Sequence, residues 1–117
     1  MTPEHGWSFV AEVVGVVDGD TIKVRVSRIL TVRLIDCWAP ESRTKDKAEK
    51  ERGLAAKGRM QELAPVGSQV TVFVPASGRG MISELFTMGR VLGRVWSQGC
   101  EISEVMCQEG YASKERP

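Results

Sequence analysis

Five strand-like runs, a long helical stretch after the third and a short one after the fifth predict an α+β, mainly β fold. Three observations carry this. Valine, isoleucine and threonine dominate the five runs, and β-branched residues suit a half-buried pleated surface. Turn-forming residues join the first three runs directly, which makes them a meander. The only long stretch of helical character falls between the third and fourth runs.

The first strand is expected over Phe9-Val10-Ala11-Glu12-Val13-Val14-Gly15-Val16-Val17. Asp18-Gly19-Asp20 follows as a tight turn, with glycine supplying a positive φ at no steric cost. Thr21 to Val26 then alternates, with Ile22, Val24 and Val26 inward and Lys23 and Arg25 outward. Ser27-Arg28 reads as a second turn. Ile29 to Ile35 is the third strand, with Val32 and Leu34 on one face and Arg33 and Ile35 on the other. Pro40 closes this region, because it lacks an N–H and pushes Ala39 into an extended conformation.

Residues 41–51 are charged and polar and run as a loop into a helix from about Lys47 to Leu63. Ala56, Met60 and Leu63 follow helical spacing and form its buried stripe. Gly53 and Gly58 each cost about 1 kcal/mol relative to alanine, and a close helix contact would explain them. Pro65 and Gly67 end the helix. Gln69 to Val74 is the fourth strand, and Pro75 to Met88 is a loop with a short extended or helical piece around Ile82 to Phe86. Gly89 to Trp96 is the fifth strand, Ser97 to Cys100 a turn, and Ile102 to Gln108 a short helix with Gly110 at its C′ position. The charged tail from Tyr111 to Pro117 is expected to fray at its end. Three strands, helix, two strands, short helix is the order of a five-stranded OB-type barrel. Residues 1–117 are read as one such domain with its core at about 9–113.

Sixteen basic and fifteen acidic residues nearly cancel, so overall charge does not announce a nucleic-acid binder. A local basic patch remains compatible with one, since a phosphate responds to the local field. There is no apolar run long enough for a membrane helix. The start of the chain lacks a basic segment followed by an apolar one, so a cytoplasmic protein is expected. Cys37, Cys100 and Cys107 have no metal-type spacing and are expected as reduced thiols, a Cys100–Cys107 pair being the alternative under oxidation.

The chemistry concentrates in three motifs. Asp18-Gly19-Asp20-Thr21 follows the first strand. Thr31-Val32-Arg33-Leu34-Ile35-Asp36-Cys37-Trp38-Ala39-Pro40-Glu41 holds an arginine and two acids at a strand end. Met88-Gly89-Arg90 opens the fifth strand. Taken singly, each has an ordinary reading: turn aspartates, exposed strand arginines and a solvated loop glutamate. In this order and on these elements, the three together resemble the staphylococcal nuclease (thermonuclease) family over roughly residues 9–113.

The resemblance implies a calcium-dependent phosphodiesterase acting on DNA and RNA. Carried over by position, Asp20 is a metal-ligand carboxylate, Asp18 supports it, and the backbone carbonyl of Ala39 is a further ligand. Arg33 and Arg90 hold the scissile phosphate and stabilise its developing charge. Glu41 orients or deprotonates the attacking water. Such a division suits the chemistry: calcium takes hard oxygen ligands, guanidiniums pair with phosphate oxygens, and phosphoryl transfer asks mainly for positioning and electrostatics.

The sequence departs from the family pattern in two places. Where the family places a second calcium-binding aspartate, two residues before the proline, this chain has Trp38. Asp36 is the nearest acid, about 6–7 Å further along a regular strand, and would serve only from a bent or bulged strand end. Trp38 itself packs or stacks a base. The family's nuclease members also continue into a third helix bearing tyrosines, whereas Tyr111 is the sole tyrosine here. Besides the metal-dependent nuclease, the sequence therefore leaves open a degenerate member that binds nucleic acid or a protein partner without cleavage. The Lys/Arg-rich run from Arg43 to Lys50 is either a solvated loop or a contact to a nucleic-acid backbone. No protein partner is evident.

Overall fold

A computed structural model describes residues 6–26, 29–75 and 90–116. The strands are β1 (Gly6–Asp18), β2 (Thr21–Arg25), β3 (Ile29–Leu34), β4 (Gln69–Pro75), β5 (Arg90–Ser97) and β6 (Cys100–Glu101). The helices are α1 (Lys47–Leu63) and α2 (Ile102–Gln108). Of the expected Pro75–Met88 loop, Pro75 instead ends β4; the rest of that loop, Gly89 and the expected Ser27-Arg28 turn lie outside the described residues.

β1 is shared between two halves of the sheet. Its first half pairs antiparallel with β4 and its second half with β2, and Glu12 belongs to both ladders, opposite Gln69 and Arg25. The β4 ladder explains why the strand begins at Gly6 rather than Phe9. Register shifts between Val13 and Gly15 and between Val16 and Asp18 bend the strand, as bulges do. β2 and β3 complete the meander, and β4 pairs antiparallel with β5. A parallel ladder from Thr31 opposite Arg90 to Leu34 opposite Gly93 joins β3 to β5. That seam closes β1 to β5 into a mixed five-stranded barrel, the OB-type α+β fold the element order predicts. β6 is a two-residue addition, reached from β5 by a turn in which Gln98 and Gly99 have φ of 53° and 82°.

The barrel fills with Ile22, Val24, Val32, Leu34, Val72, Val74 and Val95, all fully buried. Each such aliphatic side chain contributes roughly 1.5–3 kcal/mol relative to exposure. Met60 and Ala56 of α1 and Ile102 and Met106 of α2 join this core. The alternation in β2 stops earlier than the sequence suggests. Val26 lies past the last paired residue, Arg25, and is 48% exposed rather than inward.

α1 starts where its pattern begins because Asp46 caps it, accepting the amides of Ala48 and Glu49. α2 ends in a Schellman turn: Tyr111 N–H donates to the Met106 carbonyl and Gly110, at φ 82°, to that of Cys107. The chain beyond it does not simply trail off. Ser113 exchanges two backbone hydrogen bonds with Trp38, of 2.8 and 3.0 Å, so the charged tail is tied to the loop after β3.

Candidate functional site

The Asp18–Thr21 hairpin does not use glycine as expected. Neither Gly19 nor Asp20 has a positive φ. Gly19 is needed instead for room, since a Cβ there would lie 2.6 Å from the Ala56 Cβ of α1. The hairpin is thus pressed against the helix, and Asp20 is buried beside it.

Asp20 is fixed at every polar atom that faces the neighbouring loop. Its backbone carbonyl accepts the Leu34 N–H at 2.8 Å, which anchors the turn to β3. Its Oδ1 accepts the Thr21 hydroxyl at 2.8 Å, and its Oδ2 accepts the Ala39 N–H at 2.9 Å. The Arg33 Nη2 lies 3.6 Å from the same Oδ2. Residues from three parts of the chain therefore meet on one carboxylate. Asp18, on the other side of the turn, accepts both the Ser42 hydroxyl at 2.5 Å and the Ser42 N–H at 3.2 Å through Oδ1. These bonds hold the loop bearing Ala39, Pro40 and Glu41 over the hairpin.

Arg33 is placed by three contacts. Besides Asp20, its Nη1 donates to the Leu34 carbonyl at 3.4 Å, and its guanidinium lies 3.8 Å from the Trp38 ring centroid. The Arg33 side chain remains 24% exposed, so some of its five donors still face outward. Arg116, from the tail, sits 5.5 Å from the same ring centroid.

Glu41 is exposed at the rim of an open pocket of about 590 Å³, which it shares with Trp38, Glu49, Arg52 and Arg116. Among the described residues its carboxylate meets no hydrogen-bond or ion-pair partner. Its backbone, by contrast, is tightly held. A Cβ on Gly53 would fall 2.3 Å from the Glu41 carbonyl oxygen, so α1 touches this segment with bare backbone. Gly53 thus makes the close contact its presence in the helix suggests, while Gly58 has only open space around it.

Asp36 faces a different set of groups. It adopts a left-handed φ of 55°, which aspartate tolerates better than most residues. Its Oδ2 lies 3.2 Å from Arg94 Nη2, and Arg94 also pairs with Glu101 at 2.9 Å. Ser103 donates to the same Glu101 carboxylate. Arg90 opens β5 opposite Thr31, two residues from Arg33 along the seam; its side chain lies outside the described residues. Among the described residues no three His, Cys, Asp or Glu side chains gather in a way that would hold a metal ion. Asp20 itself offers hard oxygens, the kind calcium takes, but Oδ1 already accepts the Thr21 hydroxyl and Oδ2 already meets the Ala39 N–H and Arg33.

Cys37 lies under the site, fully buried, with its thiol 4.0 Å from the Gly19 carbonyl. Burial first, then the negative field of Asp20, pushes its pKa up to about 12. All three cysteines are free thiols; Cys100 is exposed and Cys107 half-buried. No helix among the described residues is long and apolar enough to cross a membrane.

Sequence reasoning missed Ser42, Ser113, Arg116 and Arg94. Ser42 carried a weak signal, as a hydroxyl directly after the Pro40-Glu41 pair. The role of Ser113 depends on a backbone bridge, which leaves no mark on residue type.

A family profile described as staphylococcal nuclease homologue matches residues 31–116. Its span takes in Arg33, Trp38, Ala39, Glu41 and Arg90, while Asp18 and Asp20 precede it. Among curated proteins, no sequence matches the chain.

Proposed function

The chain belongs to the staphylococcal nuclease homologue family, and from that membership we propose that it is a divalent-metal-dependent phosphodiesterase acting on DNA or RNA. The observation that carries the proposal is the convergence on Asp20 of Ala39 and Arg33, from the loop and strand that follow it in sequence. An acid beside a partly exposed guanidinium, with an unpartnered glutamate at the neighbouring rim, suits phosphodiester hydrolysis.

Each side chain has a distinct task. Arg33 binds a phosphate oxygen through its outward donors, and Arg90 is proposed to share that role from the adjacent strand. Glu41 takes a proton from water, for which a free carboxylate on a fixed backbone is suited. Asp20, with Asp18 and the Ala39 carbonyl, is proposed to hold a hard divalent cation, calcium being the first candidate. Bound there, the cation would supply Lewis-acid stabilisation of charge on the phosphate. With one ligand carboxylate where the family pattern has two, and that one already facing Arg33, we expect the affinity to be weak. Asp36 enters this set only by leaving Arg94.

The test is cleavage of single-stranded DNA and RNA across calcium, magnesium and manganese titrations. Glu41→Gln should lower the rate by about 10²–10⁴-fold, the usual contribution of a general base, while leaving binding in EDTA intact. Absence of cleavage with all three metals would reject hydrolysis. A second reading, binding without cleavage, is favoured by Trp38, whose indole lies against Arg33 at the position where the family pattern has a carboxylate. It predicts salt-sensitive binding that is indifferent to Glu41→Gln.

A further inference from the structure

We infer that Trp38 is a positioning residue for Arg33: its indole holds the guanidinium in place for phosphate binding, and does so without a metal ion. The inference rests on the reading of Arg33 as a phosphate-contacting group.

The backbone that carries the indole is fixed from both sides. The backbone N–H and carbonyl of Trp38 are both bonded to Ser113. The preceding Cys37 is fully buried, and the following Ala39 donates its N–H to Asp20. Backbone freedom at position 38 is therefore small, and with the rotamer it adopts the ring occupies one place. That place is 3.8 Å from the Arg33 guanidinium carbon, measured to the ring centroid. A cation over an indole face is attracted by the ring quadrupole, and tryptophan is the strongest such partner.

The stack complements the ion pair. Asp20 meets one edge of the guanidinium through Nη2, and the Leu34 carbonyl meets Nη1. Edge contacts leave the plane free to tilt; a ring against its face removes that freedom. A long, rotamer-rich side chain is thereby ordered before any ligand arrives, which reduces the ordering cost on binding. Unlike a carboxylate, the indole adds no negative charge to compete with a phosphate for the arginine. The other charged groups near the ring are Arg116, at 5.5 Å, and Glu41, Glu49 and Arg52 around the shared pocket.

A double-mutant cycle in EDTA tests this, reading the anisotropy of a fluorescein-labelled single-stranded oligonucleotide. Trp38→Leu should weaken binding about three- to tenfold, and Trp38→Phe should restore most of the loss, because a phenyl ring keeps a π face. In an Arg33→Ala background Trp38→Leu should have no further effect, since the group it positions is gone. An equal loss in that background would overturn the inference, because the indole would then be acting on the ligand or the fold directly. Loss in Trp38→Phe as large as in Trp38→Leu would also overturn it. Thermal melts and circular dichroism of each variant separate unfolding from loss of position; should Trp38→Leu not fold, Trp38→Met in the same cycle carries the comparison. If Arg33→Ala itself leaves binding unchanged, the phosphate-contact reading fails and the inference with it; if Arg33→Ala weakens binding but Trp38→Leu does not, only the inference fails.

Discussion

At the scale of single residues, the site is built by hydrogen bonds that lock carboxylates. Ser42 gives Asp18 two of them from one residue. Ser42→Ala removes a buried hydroxyl donor to a charged acceptor and should cost about 1.5–3 kcal/mol, read by urea denaturation. Cys37 offers a second check. With its pKa pushed up to about 12, chiefly by burial, it stays a protonated thiol at neutral pH. Thiolates are the nucleophiles, so a thiol-labelling time course should modify exposed Cys100 first and Cys37 only at the rate of unfolding. Asp20, Arg33 and Glu41 stood out in the sequence only as parts of three ordered motifs, each ordinary by itself. What they touch was not legible: that Arg33 lies against Trp38, or that Asp36 turns to Arg94, depends on rotamers and on one left-handed backbone residue.

At the scale of elements, α1 acts on the site through its glycines. Gly53→Ala would force a methyl group against the Glu41 carbonyl, and either the helix or the loop must move. Overpacking of this kind costs about 1–3 kcal/mol, and cleavage should fall with it. Gly58→Ala meets nothing and should stabilise the helix by about 0.4–1 kcal/mol, so the two substitutions have opposite signs in the same denaturation assay. Both glycines look alike in sequence, where each is only a helix-weakening residue; the neighbour that distinguishes them comes from a different segment. The ends of α1 have local causes: Pro65 with Gly67, at φ 92°, was legible as its stop, whereas the Asp46 cap that fixes its start was not singled out in the sequence. α1 is also joined to α2, where Arg59 Nε meets Glu109 Oε1 at 2.6 Å. That hydrogen bond lowers the Glu109 pKa below its ordinary value. A depressed carboxylate contributes stability above its unfolded pKa and loses it as pH falls through the folded value. Glu109→Gln should therefore melt slightly below the parent protein at neutral pH, and the difference should vanish in acid.

At the scale of the molecule, closure of the sheet was predicted from element order alone. It holds because an OB-type barrel needs only the succession of strands and one helix in the right gap. The ionic hub of Arg94, Asp36 and Glu101 was not foreseen, since it joins β5, the turn after β3 and β6. Arg94→Ala leaves Glu101, whose side chain is 14% exposed, without its cation. A loss of about 1–3 kcal/mol is expected in the equilibrium unfolding of the whole domain.

The parallel seam between β3 and β5 has a consequence in time as well as in space. Its partners are distant along the chain, while β1–β2 and β2–β3 are neighbours, and loop-closure entropy makes distant pairings late. The proposed phosphate clamp lies along that seam, one arginine on each strand. In a refolding reaction, early intermediates should hold the meander yet be blind to nucleic acid. Affinity should then appear in a single late step, together with the amide protection of Ile35, whose N–H donates across the seam to the Gly93 carbonyl. A labelled oligonucleotide added to the refolding mixture would thus time the last joint of the barrel.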